Sequence, residues 1–134
     1  MEPRSQILKL LLILFVVFGP AFGGMNKGFS QNQDSIKLHN IEFQKNLEAD
    51  KSYNEGVKAY ESGQNSLALQ YFDQAINLNP SYSKAYNNRG NIKLEMKDYN
   101  SAILDFDKAL ELDPNLVFPH YSRGKAQYYM GKFP

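Results

Sequence analysis

The side chains that could do chemistry are few, and their spacing argues against catalysis. His39 and His120 are the only histidines, and they stand 81 residues apart. A metal site built on imidazoles places them a few residues apart, usually with carboxylates or thiolates nearby. Asp105 and Asp107 flank Phe106 and look like paired carboxylates for acid–base work. Alternate residues on a helix do not face the same way, so the two are not expected to share a proton or a substrate. The chain has no cysteine, which excludes disulfides, thiolate nucleophiles, cysteine-held zinc and lipid attachment through sulfur. No phosphate-cradling glycine loop and no nucleophile elbow occurs. No catalytic residue, metal ligand or cofactor is predicted, and the chain reads as a non-enzyme.

The elements that carry these residues fall into two parts. Arg4 and Lys9 flank the start of an unbroken apolar run, Leu10 to Phe18, which Gly19 and Pro20 end. Basic, apolar, then small and breaking residues is the order of a secretory signal. Cleavage after Gly23 or after Ser30 satisfies the small-residue requirement at two spaced positions. Residues 1–30 are therefore predicted as a signal peptide, and the chain as exported, periplasmic or secreted. The alternative is a retained signal anchor, which would make the protein membrane-attached. A spanning helix wants about 20 apolar residues, and this run is shorter. Residues 31–48 have the composition of a linker, with Ile36, Leu38, Ile41 and Phe43 able to form a short pre-helix.

The formal net charge of the 134-residue chain is +1. There is no concentrated basic segment of the kind a nucleic acid requires, so no nucleic-acid partner is predicted.

An internal repeat organises the remainder. A shift of 34 residues aligns 49–82 with 83–116, and nine columns are identical, among them Gly56/Gly90, Ala68/Ala102, Phe72/Phe106, Ala75/Ala109 and Pro80/Pro114. A third, partial unit covers 117–134, where Gly124 follows Gly90 and Arg123 follows Arg89 at the same interval. The prolines cannot continue the helices that end near Leu78 and Leu112. Asn79 and Asp113 suit the turns before them. The phenylalanines, with Leu69, Ile76, Ile103 and Leu110, form an apolar face at helical spacing. The recurring glycines and alanines imply close approach between helices. Helices are predicted at about 46–62, 66–78, 82–96, 100–112 and 116–130.

Period and pattern together resemble the tetratricopeptide repeat, whose unit is a 34-residue helix–turn–helix. The resemblance covers residues 49–134 and is most specific from Ala85 to Pro114. The first unit departs from it: Ser52 stands where the family prefers a large aromatic, and Ala59 where it prefers tyrosine. The resemblance implies an all-α fold, a short right-handed α-solenoid of helix pairs.

What it implies about function is binding. The first helices of such repeats line a concave groove, which here would present Tyr53, Asn54, Asn87, Asn88, Asn91, Tyr121 and Lys125, with Val57, Glu95 and Ser122 beside them. Asparagine offers both donor and acceptor to an extended peptide backbone, and tyrosine offers apolar area with a polar tip. The implied function is a scaffold or adaptor that holds a peptide segment or partner protein. Some family members clamp an acidic chaperone tail with lysine, arginine and asparagine. Only Asn88 falls on a clamp position here, with Tyr53, Val57, Phe118 and Ser122 at the others, so that route is not expected.

His120 takes the repeat position of Tyr86, where packing is the expected role. The charges of Glu95, Lys97, Asp98, Asp105, Lys108 and Glu111 read as a solvated face. The third unit supplies one helix, leaving Tyr128, Tyr129, Met130 and Phe133 near an uncovered apolar end. Either the sequence is a piece of a longer array, or that end docks onto a second copy or a partner.

Overall fold

The computed structural model describes residues 22–131, and the side-chain surroundings of residues 31–131. Within that range there are five helices and no strand: α1 (Phe22–Glu61), α2 (Asn65–Leu78), α3 (Ser83–Glu95), α4 (Tyr99–Leu112) and α5 (Val117–Tyr129). Most of the predicted signal segment, residues 1–21, and Phe133 lie outside the described residues. The last four helices begin and end within about a residue of their predicted bounds, because each boundary carries a chemical stop. The first does not. Residues 31–48, predicted as linker with a short pre-helix, are helical throughout, and the helix starts at Phe22. No proline occurs between Pro20 and Pro80. The Asn, Ser and Gly residues that suggested a linker each disfavour a helix by no more than about 1 kcal/mol.

The chain divides into two compact units at Glu42 and Phe43. In the first, every side chain from Gln31 to Glu42 is exposed. Among the described residues, no helix is long and apolar enough to cross a membrane.

The second unit holds the repeats, folded as a short right-handed α-solenoid. Here α2 packs on α3, α3 on α4, and α4 on α5, with α3 also touching α5. The core is a column of small and large side chains. Ala68, Phe72, Ala75, Ala85, Ile92, Ala102, Phe106, Ala109 and Ala126 are all 0% exposed. Tyr53, Tyr60, Tyr82 and Tyr86 pack against the part between α1 and α3. Ser52 and Ala59, the positions where the first unit departs from the repeat pattern, are buried.

The recurring glycine has a sharper reason than close helix approach in general. A Cβ placed on Gly56 would lie 2.7 Å from Phe72 Cε1, and one on Gly90 would lie 2.7 Å from Phe106 Cε1. Each glycine makes room for a phenyl ring sixteen residues later, and the alanines flank that ring. This is how one helix pair closes without a void.

Both kinds of turn repeat with the same period. Between the helices of a pair, Gly63, Lys97 and Gly131 adopt positive φ, at 74°, 64° and 66°. Their amides bond to Tyr60, Leu94 and Tyr128 carbonyls at 2.9, 3.0 and 3.0 Å. The next amides of the first two turns, Gln64 and Asp98, reach back to Ala59 and Lys93, each at 2.9 Å. This closes the helix ends in the left-handed manner that glycine favours. Between pairs, Asn79 Oδ1 accepts from Ser81 N at 2.9 Å and Asp113 Oδ1 from Asn115 N at 3.1 Å. These side chains form the turns that Pro80 and Pro114 then fix.

Candidate functional site

An open groove of about 610 Å3 lies along the repeats of the second unit. The ends of the first helices build most of it: Tyr60 from α1, Asn91, Leu94 and Glu95 from α3, and Tyr121, Ser122, Lys125 and Tyr129 from α5. Lys97 in the turn and Tyr99 at the start of α4 complete the wall. The 34-residue repeat places Tyr60 and Leu94 at one phase and Asn91 and Lys125 at another, so successive helices project corresponding side chains into one channel.

Of the residues predicted to bind a partner, the structure brings Asn91, Tyr121 and Lys125 together in this groove. Tyr53 and Asn88 are elsewhere and engaged with each other: Asn88 Nδ2 donates to the Tyr53 hydroxyl at 3.1 Å. The Tyr53 ring packs on Phe72 at 5.8 Å and edge-on to Tyr82 at 5.0 Å. Burial pushes the Tyr53 phenol up, and the Asn88 bond pulls back against that rise. Asn87 Nδ2 donates to Asn88 Oδ1 at 3.0 Å, while Asn87 Oδ1 is buried with no partner among the described residues. Asn54 is exposed on α1 and does not line the groove.

Tyr60, Leu94, Lys97, Tyr99 and Tyr129 enter the groove without having been predicted as binding residues. The signal for Tyr60 and Leu94 was their shared repeat phase, which the apolar pattern assigned to packing. Tyr99 and Tyr129 stack at 5.6 Å, with 24° between ring planes, and form an aromatic floor.

Electrostatics within the groove are set by one short hydrogen bond and two lysines. The Tyr60 hydroxyl donates to Glu95 Oε1. That bond, with burial and the carboxylate charge adding to it, pushes the Tyr60 phenol up to about 12. Glu95 is thereby occupied, while Lys97 and Lys125 bring positive charge. Asn91, Ser122 and Lys125 have no side-chain hydrogen bond among the described residues, so their donors and acceptors are open to a ligand.

Behind the groove, ion pairs lock helix to helix. Arg89 grips Asp105 through two bonds, Nε to Oδ2 at 2.9 Å and Nη2 to Oδ1 at 2.6 Å, and reaches Asp73 at 2.6 Å. Lys93 adds a third cationic contact, 2.7 Å to Asp105 Oδ2. Burial works against the Arg89 charge, but its two carboxylates outweigh that and drive its proton affinity up. Asp105 is only 4% exposed, which corrects its assignment to a solvated face. It precedes Phe106 on the side of α4 turned to α3, where two cations neutralise it. Asp107 is on a different face and bonds Arg123 at 2.8 Å, so the two aspartates are separated as their spacing predicted.

His120 is exposed rather than packed like Tyr86, and its Nε2 lies 3.3 Å from the Pro114 carbonyl oxygen. Tyr86 is covered by α4, and no described helix stands in that place beside α5. Tyr128 and Tyr129 are 67% and 53% exposed, and Met130 is partly buried. Among the described residues, no group of three or more His, Asp or Glu side chains could hold a metal ion.

Comparison with known proteins places this geometry. Residues 83–116 match the family model of the tetratricopeptide repeat. The chain is 41% identical over 63 residues to a UDP-N-acetylglucosamine–peptide N-acetylglucosaminyltransferase of Giardia intestinalis, a match over 47% of this chain and 4% of that protein. It is 30% identical over 92 residues to sperm-associated antigen 1 of Rattus norvegicus, over 69% of this chain and 10% of that protein. The chain thus spans a tenth or less of the length of these two curated relatives.

Among solved structures, the tetratricopeptide domain of Arabidopsis OM64 aligns with a TM-score of 0.64 and 26% identity, over 66% of this chain and 73% of that one. The MamA protein aligns at 0.60 and 25%, over 62% and 45%. The TPR2B domain of yeast Sti1, solved as a complex with an Hsp70 peptide, aligns at 0.62 and 24%, over 64% and 69%, a likeness of fold.

Proposed function

We propose that this chain, a tetratricopeptide-repeat protein, is an interaction scaffold that holds an extended segment of a partner protein in the groove of its repeats. The observation that carries the reading is the groove itself. It is open along its length, and its polar groups Asn91, Ser122 and Lys125 are uncommitted beside four tyrosines. Asn91 and Ser122 can meet a peptide backbone from both its donor and acceptor sides. Tyr60, Tyr99, Tyr121 and Tyr129 offer apolar area to one side chain of the segment without immobilising long, rotamer-rich groups. The peptide ligands named for structural neighbours such as the Sti1 domain support binding as the class of activity. The transferase relative lends no catalysis, because the shared stretch is 4% of that enzyme.

The test is selection from a random-peptide display library against the full chain, followed by affinity measurement with an enriched peptide. Asn91→Ala combined with Tyr121→Ala is expected to weaken that peptide at least tenfold, with the thermal melt unchanged. Failure to enrich any peptide, or binding indifferent to the double substitution, would refute the groove.

The scaffold acts outside the compartment in which it is made. Arg4 and Lys9 around the Leu10–Phe18 run, with the break at Gly19 and Pro20, support export with removal of the leader. The intact mass of the protein from its native source tests this. Loss of the first 23 or 30 residues is the expected result, and a retained leader in carbonate-washed membranes would favour anchoring instead.

A further inference from the structure

The face of α5 turned away from the groove is a copy of a face that elsewhere in this chain has an occupant. On α3, Gly90 receives the ring of Phe106, and Arg89 holds Asp105 through Nε and Nη2 while its Nη1 takes Asp73. One repeat later, Gly124 has nothing within 4 Å of where its Cβ would stand, among the described residues. Arg123 makes the bond to Asp107 through Nη1, which corresponds to the Arg89–Asp73 bond. The edge of its guanidinium that corresponds to the grip on Asp105 has no carboxylate among the described residues. Its side chain is 34% exposed, against 18% for Arg89. His120 is likewise exposed where Tyr86 is half-buried.

We propose that this face of α5 docks an amphipathic helix of a separate partner protein that carries an acidic residue directly before an aromatic one. The aromatic ring enters the hollow over Gly124, and the carboxylate completes the Arg123 fork. Small residues four before and three after the aromatic let the helix sit close, as Ala102 and Ala109 do around Phe106. The charge selects the partner: an arginine with one planar edge free is matched by a carboxylate in two-point contact, which lysine or a neutral polar group does not reproduce.

A second copy of this chain is a poor occupant. Its Phe72 and Phe106 are 0% exposed. Its exposed Phe43 follows Glu42 but has His39 and Asn46 where the small residues belong. The face is also separate from the peptide groove. Arg123 and Gly124 stand roughly opposite Tyr121 and Lys125 around the helix, at about 100° per residue.

The probe is a peptide of the α4 sequence, residues 99–112, carrying a fluorophore. A lactam staple between the exposed positions Asn100 and Leu104 holds it helical, since free helices of this length are marginal. Titrated with the full chain, it is expected to give saturable anisotropy. In the peptide, Phe106→Ala and Asp105→Asn should each weaken binding at least tenfold. In the chain, Gly124→Leu fills the hollow without touching a described neighbour and should abolish binding at an unchanged melt. Arg123→Gln should weaken it tenfold, and the groove pair Asn91→Ala with Tyr121→Ala should leave it intact. Absence of binding, or binding that survives Gly124→Leu, overturns the proposal. So does sedimentation of the chain as a dimer that Gly124→Leu dissociates, because the occupant is then a second copy.

Discussion

Replacing one glycine of the repeat should have opposite consequences in successive units, and the structure gives the sign of each. In α3, a methyl group on Gly90 would lie 2.7 Å from Phe106 Cε1, 3.0 Å from Cδ1 and 3.2 Å from Asp105 Cβ. Ordinary carbon contacts begin near 3.4 Å, so the ring would have to retreat by about 0.7 Å. It has nowhere to go, because Phe106 is fully buried between Ala102 and Ala109. Overpacking of this kind costs about 1–3 kcal/mol, against which alanine regains about 1 kcal/mol of helix propensity over glycine. Gly90→Ala is therefore expected to lose about 1–2 kcal/mol. In α5, Gly124 has no neighbour within 4 Å, so Gly124→Ala keeps only the propensity gain, about 0.5–1 kcal/mol. For a domain of this size that separates the two melting temperatures by roughly 6–20 °C, Gly90→Ala below the parent chain and Gly124→Ala above it. Thermal denaturation followed by helical ellipticity reads both. Shifts of the same sign in the two variants would show that the glycine serves helix geometry rather than the ring beside it.

Three further perturbations follow from the same geometry. Asp105→Asn removes the carboxylate shared by Arg89 and Lys93. The expected loss is about 2–3 kcal/mol, short of the roughly 3–5 kcal/mol for a fully buried pair, because Arg89 keeps Asp73. An unchanged urea midpoint would contradict it. Lys97 holds a φ of 64° at a turn position where the neighbouring repeats have Gly63 and Gly131. Lys97→Gly should thus stabilise the chain by about 0.5–1 kcal/mol, read from the same urea titration. The Tyr60 phenol, raised from its ordinary 10.0 to about 12 by its bond to Glu95, holds its proton more tightly folded than unfolded. Its contribution to stability is complete below pH 10 and is lost as pH climbs toward 12. Tyr60→Phe should flatten that part of the pH–stability curve, and an identical curve for both chains would exclude the bond as its cause.

Most of the repeat fold was legible because its boundaries are chemical. Pro80 and Pro114 stop helices, Asn79 and Asp113 turn the chain, and Phe72 and Phe106 recur at the phase that faces the core. The start of α1 was illegible for the complementary reason. Between Pro20 and Pro80 nothing forbids a helix, and the Asn, Ser and Gly residues that suggested a linker only weaken one. Asp105 was misread because a carboxylate in an alternating run of charges looks solvated. What buries it is Arg89, sixteen residues earlier, and Lys93, twelve residues earlier, both on the preceding helix. A pairwise tertiary contact of that kind leaves no mark in local periodicity.

The binding residues divide along the same line. The repeat phase locates the face of each first helix that meets the concave side, and it brought Asn91, Tyr121 and Lys125 to the groove. Phase does not say whether a polar side chain on that face is already spent. Asn88 and Tyr53 satisfy one another across the first two repeats, so truncating either should disturb packing before it disturbs recognition. Asn91, one turn further along α3, has no such partner among the described residues. The distinction matters for the second face of α5 as well. Arg89 and Arg123 are the same residue at the same phase, yet one is consumed by two carboxylates and the other by one. In a solenoid, where each unit contacts only its neighbours, the residues left for a partner are those whose counterparts one repeat earlier are occupied by the chain itself.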